Sequence, residues 1–130
     1  MANETQPAFD LKSTYVHLEA GGGALPEKVG DDFWVRIADR PYDGMRLVAV
    51  IHMTGDAQTW EMHPKGDELL FLLSGTIDLV LREADGERVV ELHPGAACVV
   101  PSGTWHRQIV RTPGDLLFIT PGEGTEHRPL

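Results

Sequence analysis

Glycine and proline set the first constraint on this chain. Its 14 glycines and 9 prolines cut 130 residues into apolar stretches of four to eight, too short for a helical stripe and of strand length. Candidate strands fall at 33–38 (FWVRIA), 46–53, 68–73, 76–83, 87–92, 97–100, 107–111 and 115–120. Short strands between turn signals predict an all-β sandwich or barrel, and about eight of them close a small one. In 76–83, Ile77, Leu79 and Leu81 share one face while Asp78, Val80 and Arg82 share the other, so one side of that strand is wet. The stretches 46–53 and 68–73 are apolar on both faces and need cover from a second sheet, the N-terminal arm or a second subunit; a homodimer is therefore expected. Asp85-Gly86 marks a hairpin between 76–83 and 87–92. The connection Ser74-Gly75-Thr76 is so short that 68–73 and 76–83 are expected to pair as antiparallel neighbours.

The ends read as less regular. Residues 1–30 form an arm and loop, with an edge strand at 13–18 and a glycine-rich loop at 19–32. Residues 31–122 make one barrel, and 123–130 are an exposed tail. A chain of this length holds one domain with a substantial core.

Charge narrows the partners. Eleven basic against 20 acidic residues give a net charge of −9, which repels a phosphate backbone, so nucleic acid is not an expected partner. No window has the roughly 18 apolar residues of a membrane span, and the N-terminus has no signal-type apolar core, so the chain reads as cytoplasmic with no membrane partner. The single cysteine, Cys98, lies in an apolar run and reads as a small buried hydrophobe.

Against this background the segment WEMHPKGDELLFLLSG, 60–75, gathers residues that ligate metals. Glu61 and His63 are two apart and project to one side of an extended chain; Glu68 follows a Pro-Lys-Gly-Asp turn at the start of the next strand. Far downstream, His106 opens a strand after a Pro/Gly turn, and two neighbouring hairpins would bring the four together.

These residues resemble the cupin family, whose first motif is G-x5-H-x-H-x3-4-E-x6-G and whose second is G-x5-P-x-G-x2-H-x3-N. Gly55, Glu61, His63, Glu68 and Gly75 reproduce the first spacing with glutamate in place of the first histidine; Gly95, Pro101, Gly103 and His106 reproduce the second, with Val110 at the asparagine position. The resemblance implies a double-stranded β-helix (jelly-roll) barrel holding one divalent ion, Fe, Mn, Zn or Ni, through His63, Glu68 and His106. Glu61 is then either a fourth donor, since a carboxylate replaces imidazole in such sites, or a catalytic base. His52, Leu70, Leu72, Gln108 and Val110 are the expected pocket wall, largely apolar with one amide, which suits a small organic molecule. Trp60 and Trp105 precede donors and point away from them.

The family spans enzymes and binders, and fold alone does not choose. A metal-dependent, dioxygenase-like enzyme is the first expectation, because no second acid/base group accompanies Glu61 apart from His52. A non-catalytic binding or sensing module is the alternative, and a metal-free structural barrel is a third.

Overall fold

The structure, a computed structural model, describes residues 7–38 and 44–130; the first six residues of the N-terminal arm lie outside them. Eleven strands and one short helix are found among the described residues: β1 (Thr14–Leu18), β2 (Ala24–Lys28), α1 (Phe33–Ala38), β3 (Arg46–Met53), β4 (Thr59–Met62), β5 (Glu68–Leu72), β6 (Thr76–Glu83), β7 (Gly86–Leu92), β8 (Ala97–Val100), β9 (His106–Thr112), β10 (Gly114–Thr120) and β11 (Glu126–Pro129). They form a six-stranded sheet, β2-β1-β3-β10-β5-β8, and a five-stranded sheet, β11-β4-β9-β6-β7. All pairings are antiparallel.

The core lies between the sheets. Met53, Leu70, Leu72, Val100 and Leu116 from the first meet Ile77, Leu79, Leu81 and Leu92 from the second, all buried. The expected alternation on β6 holds for its inward face, and β6 and β7 form the expected hairpin, with Glu83 opposite Gly86. No described helix is long and apolar enough to cross a membrane.

Five local readings are corrected. The run 33–38 is helical, not extended: Phe33 and Ile37 are buried one turn apart while Trp34 and Val35 are exposed, and Arg36 bonds both by backbone and by side chain to Asp32 at the helix start. A short apolar run does not reveal its period by composition, and here Asp32 supplies the helix-start signal. Residues 24–28, expected within a loop, form β2 on β1, because the glycines make a tight reversal: Gly22 takes φ +101° and Glu19 N–H donates to Gly23 O at 2.8 Å. The strand at 14–18 is consequently interior, and β2 is the edge.

Strands β5 and β6 are not paired; the chain changes sheet at Ser74-Gly75. Gly75 permits that corner with φ +81°, and a Cβ there would stand 2.5 Å from Thr112 O. The tail, finally, is exposed as expected but regular, since β11 pairs with β4 along its length.

Candidate metal centre

Glu61 is the last but one residue of β4, His63 directly follows that strand, Glu68 opens β5 and His106 opens β9. One donor atom from each lies within 4.8 Å of all the others. His63, Glu68 and His106 are buried, whereas the Glu61 side chain is 39% exposed at the barrel mouth. Register places Glu61 directly across from His106 on β9, and Gly103 N–H holds His63 O at 3.0 Å, which ties the two hairpins together.

Each of the four side chains has one polar atom anchored from outside the cluster. His106 donates Nδ1–H to Thr104 O at 2.9 Å, which leaves Nε2 without a proton when the ring is neutral. His63 Nδ1 lies 2.8 Å from Thr125 Oγ1, whose own proton goes to Gly122 O at 2.8 Å; the hydroxyl therefore accepts, and Nδ1 is again the N–H side. Thr120 donates its hydroxyl to Glu68 Oε2 in a short hydrogen bond. His127 Nε2 lies 3.1 Å from Glu61 Oε2 and, facing a carboxylate, is the donor.

The atoms left over point inward. His63 Nε2 is 2.8 Å from Glu61 Oε1 and 3.4 Å from Glu68 Oε2, and His106 Nε2 is 3.0 Å from Glu68 Oε1. Those separations are ion-pair distances, and His63 Nε2, Glu68 Oε1 and His106 Nε2 have no hydrogen-bond partner of good geometry. Buried polar atoms are ordinarily satisfied. Three orphans of complementary type around one point fit a divalent cation, for which two imidazoles and two carboxylates are a suitable donor set.

Without an ion the cluster polarises itself. Burial pulls the His63 imidazolium down, but the Glu61 and Glu68 carboxylates outweigh it and hold the group at about 9. Burial pushes Glu68 up, and the His106 and His63 rings more than offset this, leaving it at about 2. Glu61 is also below the usual carboxylate range, burial again being overcome by His63.

The expected pocket residues separate. Leu70 and Leu72 are sealed in the core, Val110 packs against it, and Gln108 stands half-buried on β9, on the same face as His106. His52 is not brought to the cluster: Ile51 and Met53 face the core, so His52 faces outward, 56% exposed and 2.8 Å from Asp115 on β10. A depression of about 350 Å³ lies instead at the other end of β6 and β9, lined in part by Asp78, His93 and Arg111. His17 is buried on β1 against Glu27 at 2.8 Å, away from the cluster. Trp60 is turned outward from Glu61 and capped by the Arg82 guanidinium at 4.4 Å.

Thr120, Thr125 and His127 were not among the site residues expected from the sequence, although the stretch 124–129 could have been read as folding over a barrel mouth. Thr120 carried a signal, as the inward polar residue after Leu116 and Phe118 on β10; Thr125 and His127 belong to the tail read as an exposed end.

The model of the Cupin_2 family, described as a cupin domain, matches residues 49–122. Among solved structures the chain is similar to a cupin-2 domain-containing protein of Shewanella frigidimarina, at 21% identity and a TM-score of 0.51 over 58% of this chain and 70% of that one. It is similar to hydroquinone 1,2-dioxygenase of Sphingomonas sp. TTNP3, at 17% identity and 0.51 over 58% of each chain. It is similar to oxalate decarboxylase of Bacillus subtilis, at 16% identity and 0.53 over 65% of this chain and 24% of that enzyme. The chain thus corresponds to about a quarter of the decarboxylase. No curated protein matches it.

Proposed function

The chain belongs to the Cupin_2 family of cupin domains, and from that premise we infer that it is a metal-dependent enzyme, dioxygenase-like, acting on a small organic molecule. One divalent ion, Fe, Mn, Zn or Ni, would be held by Glu61, His63, Glu68 and His106. The observation that carries this reading is the set of three buried, unbonded donor atoms on side chains whose other polar atoms are all anchored. The similar structures support the fold and include enzymes of different chemistry, so they leave the reaction open.

The ion would supply Lewis acidity and, as iron, redox chemistry towards dioxygen. The residues of the chain do the rest. Thr104, Thr120 and Thr125 hold the His106, Glu68 and His63 groups in place. The leucines beneath, Leu70 and Leu72 among them, exclude water from the inner side. Substrate therefore approaches from the mouth, where Glu61 is the exposed group. Glu61 is the fourth donor or, if it stays out of the ion's donor set, the base whose Oε1 faces the cluster to accept a substrate proton while His127 holds Oε2.

The second reading is a small-molecule binding or sensing module that uses the same site without turnover. A homodimer belongs to either reading. We place its contact on the outer face of the six-stranded sheet, where Leu69, Phe71, Leu117 and Ile119 are half-buried beside the 56%-exposed Val99.

Elemental analysis of untagged protein purified without added metal or chelator tests the metal. About one ion per chain is expected, lost by at least about 10-fold in affinity in His106→Ala. Unchanged metal content in that variant would remove the site. Oxygen consumption by the iron-loaded protein against a panel of small phenols and organic acids separates enzyme from binder.

A further inference from the structure

Two of the four anchors come from the last six residues of the chain. Thr125 fixes Nδ1 of His63 at 2.8 Å, and His127 holds the outer oxygen of Glu61 at 3.1 Å. Backbone pairing of β11 with β4 sets His127 opposite Glu61, and the Arg128 guanidinium lies 4.2 Å over the ring of Trp105, the residue before His106.

The strand does not owe its place to burial. All four residues of β11 are exposed, so apolar area removed from water contributes little to holding it there. Its side-chain contacts run to Glu61 and to the neighbour of His106, and the turn before it reaches His63.

We propose that the segment from Thr125 to Pro129 is the outer wall of the metal centre, with Thr125 and His127 as positioning residues that orient His63 and Glu61 and leave one donor atom of each for the ion. The proposal rests on the metal reading above and adds to it the parts that set donor direction. A ring whose Nδ1–H is held presents Nε2 as the ligand atom, and such partners govern both orientation and basicity. A glutamate whose Oε2 is already engaged offers Oε1 alone. The wall thereby limits Glu61 to one oxygen and keeps its carbon chain from swinging into the mouth.

The test measures Zn(II) affinity of the full chain by competition with a chromophoric chelator, for wild type, Thr125→Val, Thr125→Ser and His127→Ala. Thr125→Val keeps shape and removes the acceptor; it is expected to weaken binding by about 10- to 100-fold. Thr125→Ser, which restores the hydroxyl, should return to within about threefold of wild type, a recovery that a purely packing role would not give. His127→Ala is expected to weaken binding by about 10-fold, at the low end of the range for supporting groups. The urea midpoints of the metal-free variants should stay close to wild type. Binding by Thr125→Val and His127→Ala within about twofold of wild type would overturn the wall, as would loss in Thr125→Val that serine does not recover. Wild-type protein that takes up no zinc would instead remove the metal reading itself.

Discussion

Metal uptake should release a proton, and the number can be worked from the cluster. The metal-free chain holds His63 as an imidazolium up to about 9, since burial is outweighed by the Glu61 and Glu68 carboxylates. A metal ligand must be neutral imidazole, so an ion arriving near pH 7 displaces the proton on Nε2. With a pKa of about 9, nearly every chain carries that proton near pH 7, and the expected yield is about one proton from His63 per ion. Apparent affinity should rise about tenfold per pH unit up to about 9 and then level off. Between pH 7 and that plateau the gain is about 100-fold, or about 2.7 kcal/mol. Calorimetry in buffers of different ionisation enthalpy reads the proton count directly. Mn(II) is the probe of choice, because Zn(II) acidifies its own bound water to about 7 and would add to the count. Glu61→Gln removes the carboxylate nearest Nε2, lets burial pull His63 down, and should lower the count. A wild-type count near zero, with affinity flat across this range, would mean that His63 carries no proton for the ion to displace.

The same shifts give the metal-free chain a pH window of stability. Glu68, lowered to about 2, contributes stability that is present above the ordinary carboxylate range and is lost as pH falls through about 2. His63, raised to about 9, contributes stability that is present below about 6.5 and lost as pH rises through about 9. The melting temperature of chelator-treated protein should therefore fall on both sides of a maximum between about pH 4.5 and 6.5; a steady rise from pH 6 to 9 would contradict it. Leu72→Ala, at a site with no exposure and core contacts from both sheets, should cost about 2–5 kcal/mol in urea unfolding. Gly75→Ala meets both a left-handed φ of +81° and carbonyl oxygens at 2.5 and 2.7 Å, so it should destabilise by more than the about 1 kcal/mol that such a change gains where the backbone suits alanine; a neutral result would mean that the corner relaxes freely.

The strands that proved legible are those bounded on both sides by turn residues. The stretches 46–53 and 76–83 coincide with β3 and β6, and 97–100 with β8. What failed was the period of a six-residue run and the partner of a strand. FWVRIA contains apolar residues at spacings that suit either a strand or one helical turn and a half, and only the preceding Asp32 tips it. The link at 74–76 looked like a hairpin because so short a connection suffices for one, yet it also suffices to turn a corner between stacked sheets when it contains a glycine.

The four candidate ligands were legible because motif spacing is a property of the sequence, whereas their anchors were not. Thr125 stands 62 residues from His63 and His127 stands 66 from Glu61, so no local pattern joins them. What joins them is register. His127 on β11 faces Glu61 on β4, Glu61 faces His106 on β9, and His106 faces Leu81 on β6. That single row crosses four strands of the five-stranded sheet, from an exposed imidazole to a buried leucine, with the two candidate ligands between. A slip of one residue in any of these pairings would turn the corresponding side chain to the opposite face. The site is therefore specified by the same pairings that close the core: Leu79 and Leu81 keep β6 in register by burying their side chains, and β6 carries β9, β4 and β11 in turn. Positional accuracy at the cluster is inherited from apolar packing on the inner side. The exposed outer strand β11 lacks such packing, and it is held there by its backbone pairing and its polar contacts with the site.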